Sequence, residues 1–261
     1  MRRDPHVVAL SYQLETTEEL LSFENPQPCE AETALCRFYL AEGMLTCTMK
    51  EHYPSPNEAR GVVDPLLHAW VLADSLQRGR REIRFVFQRA EVIDRDPPPE
   101  GKVLSIQATE TIGVSGRLSL WVTRADYPAF SQRFIVSPDV ETLWNRYEGY
   151  VQGREPLPGM AYVCQSFIEK VLARGQAEAA QKYHIERKVL RTLGDLHSHR
   201  GDLTSRRKLE HERDRHEPPL TPSEIAWMEA AVRRLIRRVG EHAADPSYPW
   251  PPLGMGDLPR L

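Results

Sequence analysis

The chain has 261 residues, 41% hydrophobic and 27% charged, enough apolar material for a buried core and too much for a chain disordered throughout. Its 34 Lys and Arg face 37 Asp and Glu, so a net charge of −3 supplies no overall basic field to attract nucleic acid. No apolar run reaches the roughly 18 residues of a membrane span. The charged start lacks the apolar stretch of a secretory signal, and the four cysteines form no Cys-x-x-Cys pair. Buried reduced thiols and a cytoplasmic location are therefore expected.

The first half reads as strands. Val8, Leu10, Tyr12 and Leu14 alternate with polar neighbours, and Ala34 to Lys50 holds two β-prone runs broken at Glu42-Gly43, a hairpin. One helix follows, over about 65–77: Asp64 as cap, Pro65 in the first helical position, Leu67, Trp70 and Val71 as its apolar face, Gly79 as its stop. Ile83, Phe85 and Phe87 alternate in a strand between Arg81 and Arg95 that Pro97, Pro98 and Pro99 terminate. Val103 to Ile112 and Arg117 to Thr123 flank a glycine-containing turn, Gly113-Val114-Ser115-Gly116.

Near residue 137 the apolar period becomes helical. Ser137-Pro138-Asp139 opens a helix carrying Val140, Leu143, Trp144, Tyr147 and Val151, closed by Gly153. A second runs from about Pro158 to Arg174 with Met160, Val163, Phe167 and Val171 inward. A third covers Ala177 to Ser198 through Ile185, Val189, Leu193 and Leu196. The last begins at the capping box Thr221-Pro222-Ser223-Glu224 and continues with Ile225, Met228, Val232, Leu235 and Val239. The expected fold class is α+β: a β-rich domain over residues 1–136, an up-and-down four-helix bundle over 137–244, and a Pro-rich tail over 245–261, extended or mobile.

Chemistry concentrates between the last two predicted helices. His199 to Leu220 is long for a helix–helix link, and it holds Arg200, Arg206, Arg207, Lys208, Arg213 and Arg215 beside His199, His211 and His216. Histidine moves protons near neutral pH and arginine grips a phosphate with two parallel hydrogen bonds, a pairing suited to metal-free phosphodiester cleavage. Interleaved Asp202, Glu210, Glu212, Asp214 and Glu217 offer the plainer alternative of a solvated loop of mixed charge. His197 and His199 with Asp202 form a second candidate, a zinc or manganese site. Arg233, Arg234, Arg237 and Arg238 make a basic stripe on the final helix, with Glu229 spaced for ordinary helix pairing. No Gly-x-x-x-x-Gly-Lys loop and no Gly-x-Ser-x-Gly elbow is present, which removes P-loop nucleotidases and typical serine hydrolases.

A helical bundle with an Arg-x(4–6)-His element before its last long helix resembles the HEPN superfamily, and a β-rich part ahead of it resembles the ApeA-like arrangement. Arg206-Arg207-Lys208-Leu209-Glu210-His211 is the best-placed match; Arg191 to His197 and Arg237 to His242 share the spacing. The family commonly places Asn, Asp or His after the arginine, where this chain has Arg207. The resemblance implies an RNA-cleaving or RNA-binding protein of defence or toxin–antitoxin systems, working without metal or cofactor and as a homodimer. Arg206 then steadies the phosphate, His211 transfers the proton, and Arg200 assists. The alternatives are a non-catalytic dimerisation or partner-binding module with a decayed element, and a metal-dependent hydrolase using His197, His199 and Asp202.

Overall fold

A computed structural model describes residues 4–16, 21–96, 122–199 and 219–261. The elements of the first half are β1 (Pro5–Thr16), β2 (Leu21–Gln27), β3 (Cys29–Glu32), β4 (Cys36–Ala41), β5 (Met44–Met49), α1 (Pro56–Arg78), β6 (Ile83–Asp94) and β7 (Val122–Asp126). The second half supplies α2 (Pro138–Val151), α3 (Leu157–Lys170), α4 (Gln176–Lys182), α5 (Arg187–His199), α6 (Pro222–Ala244) and a short 3-10 turn, Met255–Asp257. The architecture is α+β. It divides into two compact units, Met1–Ser75 with Arg81–Gln132 and Leu76–Arg80 with Arg133–Leu261.

The first unit is built on a five-stranded antiparallel sheet in the order β3-β4-β5-β1-β6. The hairpin at Glu42-Gly43 forms as expected: both residues have positive φ, 51° and 72°, and the β4–β5 register runs from Ala41↔Met44 to Cys36↔Met49. The alternation in β1 buries Leu10, Tyr12 and Leu14 against α1 residues Leu67, Trp70 and Val71. Trp70 anchors this core, its ring 5.2 Å from both Phe85 and Phe130 and its indole N–H donating to Pro128 O at 3.0 Å. A second, two-stranded parallel sheet pairs β2 with β7. The expected strand over Val103 to Ile112 and the turn after it lie outside the described residues.

Helix α1 starts nine residues before the expected position. Ser55-Pro56-Asn57-Glu58 caps it: Ser55 Oγ accepts from Glu58 N at 3.3 Å and donates to the Glu58 carboxylate at 2.7 Å. Asp64 and Pro65 lie inside the helix, where proline removes one intrahelical hydrogen bond. Asp64 does not cap; its carboxylate accepts instead from the Tyr12 hydroxyl, 2.6 Å away.

The helical unit contains five α-helices among the described residues, not four. The stretch expected as one helix over Ala177 to Ser198 breaks at His184, whose φ is 51°. Tertiary pairing overrides the local period: Leu253 from the tail donates to His184 O at 2.8 Å and accepts from Glu186 N at 2.9 Å, forming a parallel bridge at Ile185. The buried face of α3 is also shifted from the expected one. Leu157, Met160, Ala161, Cys164 and Ile168 are buried, whereas Val171 is 66% exposed. The small side chains Ala161 and Cys164 line this face of α3, which packs against α2, α4, α5 and α6. Burial pushes the Cys164 thiol up to about 12, keeping it an inert core residue.

Gly240 in α6 shows how tightly this unit closes. Glycine within a helix ordinarily costs about 0.5–1 kcal/mol relative to alanine. Here a Cβ would enter the ring of buried Phe134 and lie 2.9 Å from Ile135 O. Gly240→Ala is therefore expected to destabilise by about 1–3 kcal/mol despite the better helix propensity. A raised midpoint in urea unfolding would contradict this packing.

Candidate functional site

Arg200, Arg206 and His211, the residues expected to act on RNA, lie outside the described residues. The structure does show how the chain is fastened on either side of them. At the end of α5, His197 is 6% exposed and its Nε2 lies 3.0 Å from Gln165 Oε1. The Gln165 amide nitrogen is committed as a donor to Leu190 O at 2.9 Å and Glu169 Oε1 at 2.7 Å. Its oxygen must then accept, so the His197 proton sits on Nε2 and Nδ1 faces Ser198 Oγ at 3.2 Å. At the start of α6, Thr221 Oγ1 accepts from Glu224 N and the Glu224 carboxylate accepts from Thr221 N, the capping box expected from the sequence.

His197 is thus a structural residue joining α3 to α5, with Nε2 used inside the protein. Asp202 lies outside the described residues, as does the His199 side chain, and among the described residues no group of three or more His, Cys, Asp or Glu is placed to hold a metal ion. The other spacing matches are likewise engaged: Arg237 Nε donates to Glu241 at 2.8 Å, while the His242 ring packs edge-on against Tyr183 at 5.2 Å.

Most of the basic stripe on α6 serves as fastening. Arg233 donates to the Tyr147 hydroxyl of α2 at 2.9 Å, and Arg238 binds Glu241 at 3.0 Å and Pro251 O at 2.6 Å. Glu229 accepts from the Tyr150 hydroxyl at 2.5 Å, an α2–α6 link that helix pairing alone does not anticipate.

Two histidines tie stability to pH. Burial, with His52 and Arg95 nearby, lowers the pKa of His6 from 6.5, and burial, with Lys182 and His184 nearby, lowers that of His242. A folded-state pKa below the unfolded value means that the unfolded chain takes up the proton first. Their contribution is fully present above pH 6.5 and is lost as pH falls through the lowered values. The urea midpoint should accordingly drop between pH 7 and 5, less so in the His6→Gln/His242→Gln double variant; equal drops would refute this assignment.

A constellation that the sequence reading missed lies in the first unit, between α1 and the sheet. Tyr12 donates to Asp64 Oδ1, and Arg60 Nη2 reaches Asp64 Oδ2 at 3.2 Å. The Arg60 guanidinium lies over the Phe87 ring, 4.5 Å from its centroid, and Phe87 meets the Tyr12 ring edge-on at 5.6 Å. Burial and the Asp64 carboxylate raise the Tyr12 pKa, so the phenol remains a donor. These groups line a cleft of about 220 Å³ together with His68, Arg81, Arg84 and the apolar side chains Leu67, Val71 and Phe85. The i,i+4 spacing of Arg60 and Asp64 was its one local signal.

Among the described residues no helix is long and apolar enough to cross a membrane. Comparison of the chain with protein-family models, curated proteins and solved structures gave no match.

Proposed function

We propose that the chain is a cytoplasmic RNA-directed protein of the HEPN type, acting in a defence or toxin–antitoxin system as a metal-independent endoribonuclease. Arg206 and Arg200 hold the scissile phosphate. His211 takes the proton from the ribose 2′-hydroxyl, whose oxygen attacks phosphorus and expels the 5′-oxygen, leaving a 2′,3′-cyclic phosphate and a 5′-hydroxyl once the leaving oxygen is protonated. A homodimer brings two copies of the element together.

The observation that carries this reading is the attachment of the Arg/His-rich segment at both ends to one helical unit. His197 and Gln165 fix the end of α5, the Thr221–Glu224 box fixes the start of α6, and these two helices pack against each other. The described spacing matches offer no competing site, since His197, Arg237 and His242 have structural contacts of their own. Arg207, in the place of the family's usual polar residue, favours the second reading, a binding or dimerisation module.

Single-stranded RNA incubated with the full chain in EDTA decides between them. The ribonuclease reading expects cleavage that falls at least about 100-fold in His211→Ala, the usual scale for loss of a general base, with an unchanged unfolding midpoint. RNA left uncut by a protein that elutes as a dimer would replace it with the module reading, and cleavage abolished by EDTA would replace it with a metal-dependent one.

A further inference from the structure

We propose that the cleft between α1 and β6 binds a small aromatic carboxylate, an inference independent of the RNA reading. The cleft has two chemical sides. Leu67, Val71 and Phe85 present apolar surface, while Arg60, Arg81 and Arg84 are the basic residues of the lining. Such a combination of apolar lining and a few convergent polar groups marks binding sites for small organic ions.

The Arg60 donors make the case specific. Its Nη2 donates to Asp64, and a guanidinium presents five N–H donors in a planar fork, so donors beyond the one Asp64 takes are left for a ligand carboxylate. The guanidinium is held in place by the Phe87 ring beneath it and by Asp64, which Tyr12 in turn fixes, so little side-chain freedom is lost on binding. Arg84 is exposed and pairs with Glu15 at 2.8 Å, a surface contact that a ligand can share or replace.

Size and charge narrow the class. The volume of about 220 Å³ equals that of roughly seven liquid waters, room for one ring and one charged group but not for an oligonucleotide. The lining carries Arg60, Arg81 and Arg84 against Asp64, but Asp64 and Glu15 already pair with Arg60 and Arg84, which leaves excess positive charge better matched to a carboxylate monoanion than to a phosphate dianion.

Calorimetric titration of the full chain with benzoate tests the proposal, with acetate, inorganic phosphate and adenosine monophosphate as comparisons. The expected result is saturable one-to-one binding of benzoate, at least tenfold tighter than acetate or phosphate and weakened at least tenfold by Arg60→Met. Because Arg60 also holds α1 to the sheet, Arg84→Gln provides a second variant at an exposed position; it should weaken benzoate about threefold without moving the thermal midpoint. No saturable benzoate heat, binding unaffected by either substitution, or acetate binding as tightly as benzoate would overturn the site. Tighter binding of adenosine monophosphate would overturn the carboxylate assignment.

Discussion

Leu253→Ala should destabilise the helical unit by about 2–5 kcal/mol, the range for a buried leucine truncated in a packed core. Leu253 is 3% exposed although it lies among five prolines, in a tail whose composition predicts an extended or mobile end. Both backbone polar groups of Leu253 are used, toward His184 O and Glu186 N. The residues before it are also held: Arg133 sits over the Tyr248 ring at 4.0 Å, and Arg238 lies 5.7 Å from the Trp250 ring while donating to Pro251 O. The prolines suit this role, because a segment with φ already restricted loses less entropy on docking. Exposed Arg260→Ala is the matched control and should change stability by no more than about 0.5 kcal/mol. Equal urea midpoints for Leu253→Ala and wild type would mean that the tail does not dock.

Glu82→Gln should cost the first unit about 3–5 kcal/mol, since removing one member of a buried ion pair strands the other. The Arg124 guanidinium donates through Nη2 to the Glu82 carboxylate, at side-chain exposures of 12% and 7%, and Arg124 Nη1 is buried without an acceptor. Arg124 lies in β7, which pairs with β2, so the ion pair attaches this small parallel sheet to the start of β6. A Glu82→Met/Arg124→Met double variant should cost less than Glu82→Gln alone, because the Arg124 charge is then not left stranded. A single-variant cost below about 1 kcal/mol, the scale of exposed pairs, would contradict the burial.

The fold was legible wherever local patterning and tertiary packing agree. Tyr12 and Leu14 in β1, the Glu42-Gly43 hairpin and the Thr221 capping box all combine local signals with the face that becomes buried. Errors arose where a signal was ambiguous. Asp64-Pro65 has the chemistry of a helix start but lies within α1, whose cap carries the same signature nine residues earlier at Ser55-Pro56-Asn57-Glu58. The break at His184 leaves no trace in the apolar period from Ile185 to Leu196, because its cause, the Leu253 bridge, lies far along the chain. The α1–β6 cleft was hidden for a similar reason: Tyr12, Asp64 and Phe87 come from three separate elements. Histidine and arginine spacing alone is a poor guide to chemistry here, since His197 and Arg237 fit the pattern while bonding within the protein.

Analysis of the RNA ends produced in EDTA tests the proposed chemistry most directly. Attack by the ribose 2′-oxygen predicts 2′,3′-cyclic phosphate and 5′-hydroxyl termini from the wild-type chain, and neither from His211→Ala. Termini bearing 5′-phosphate, or RNA that remains intact under the same conditions, would contradict the assignment of Arg206 and His211 to phosphodiester cleavage.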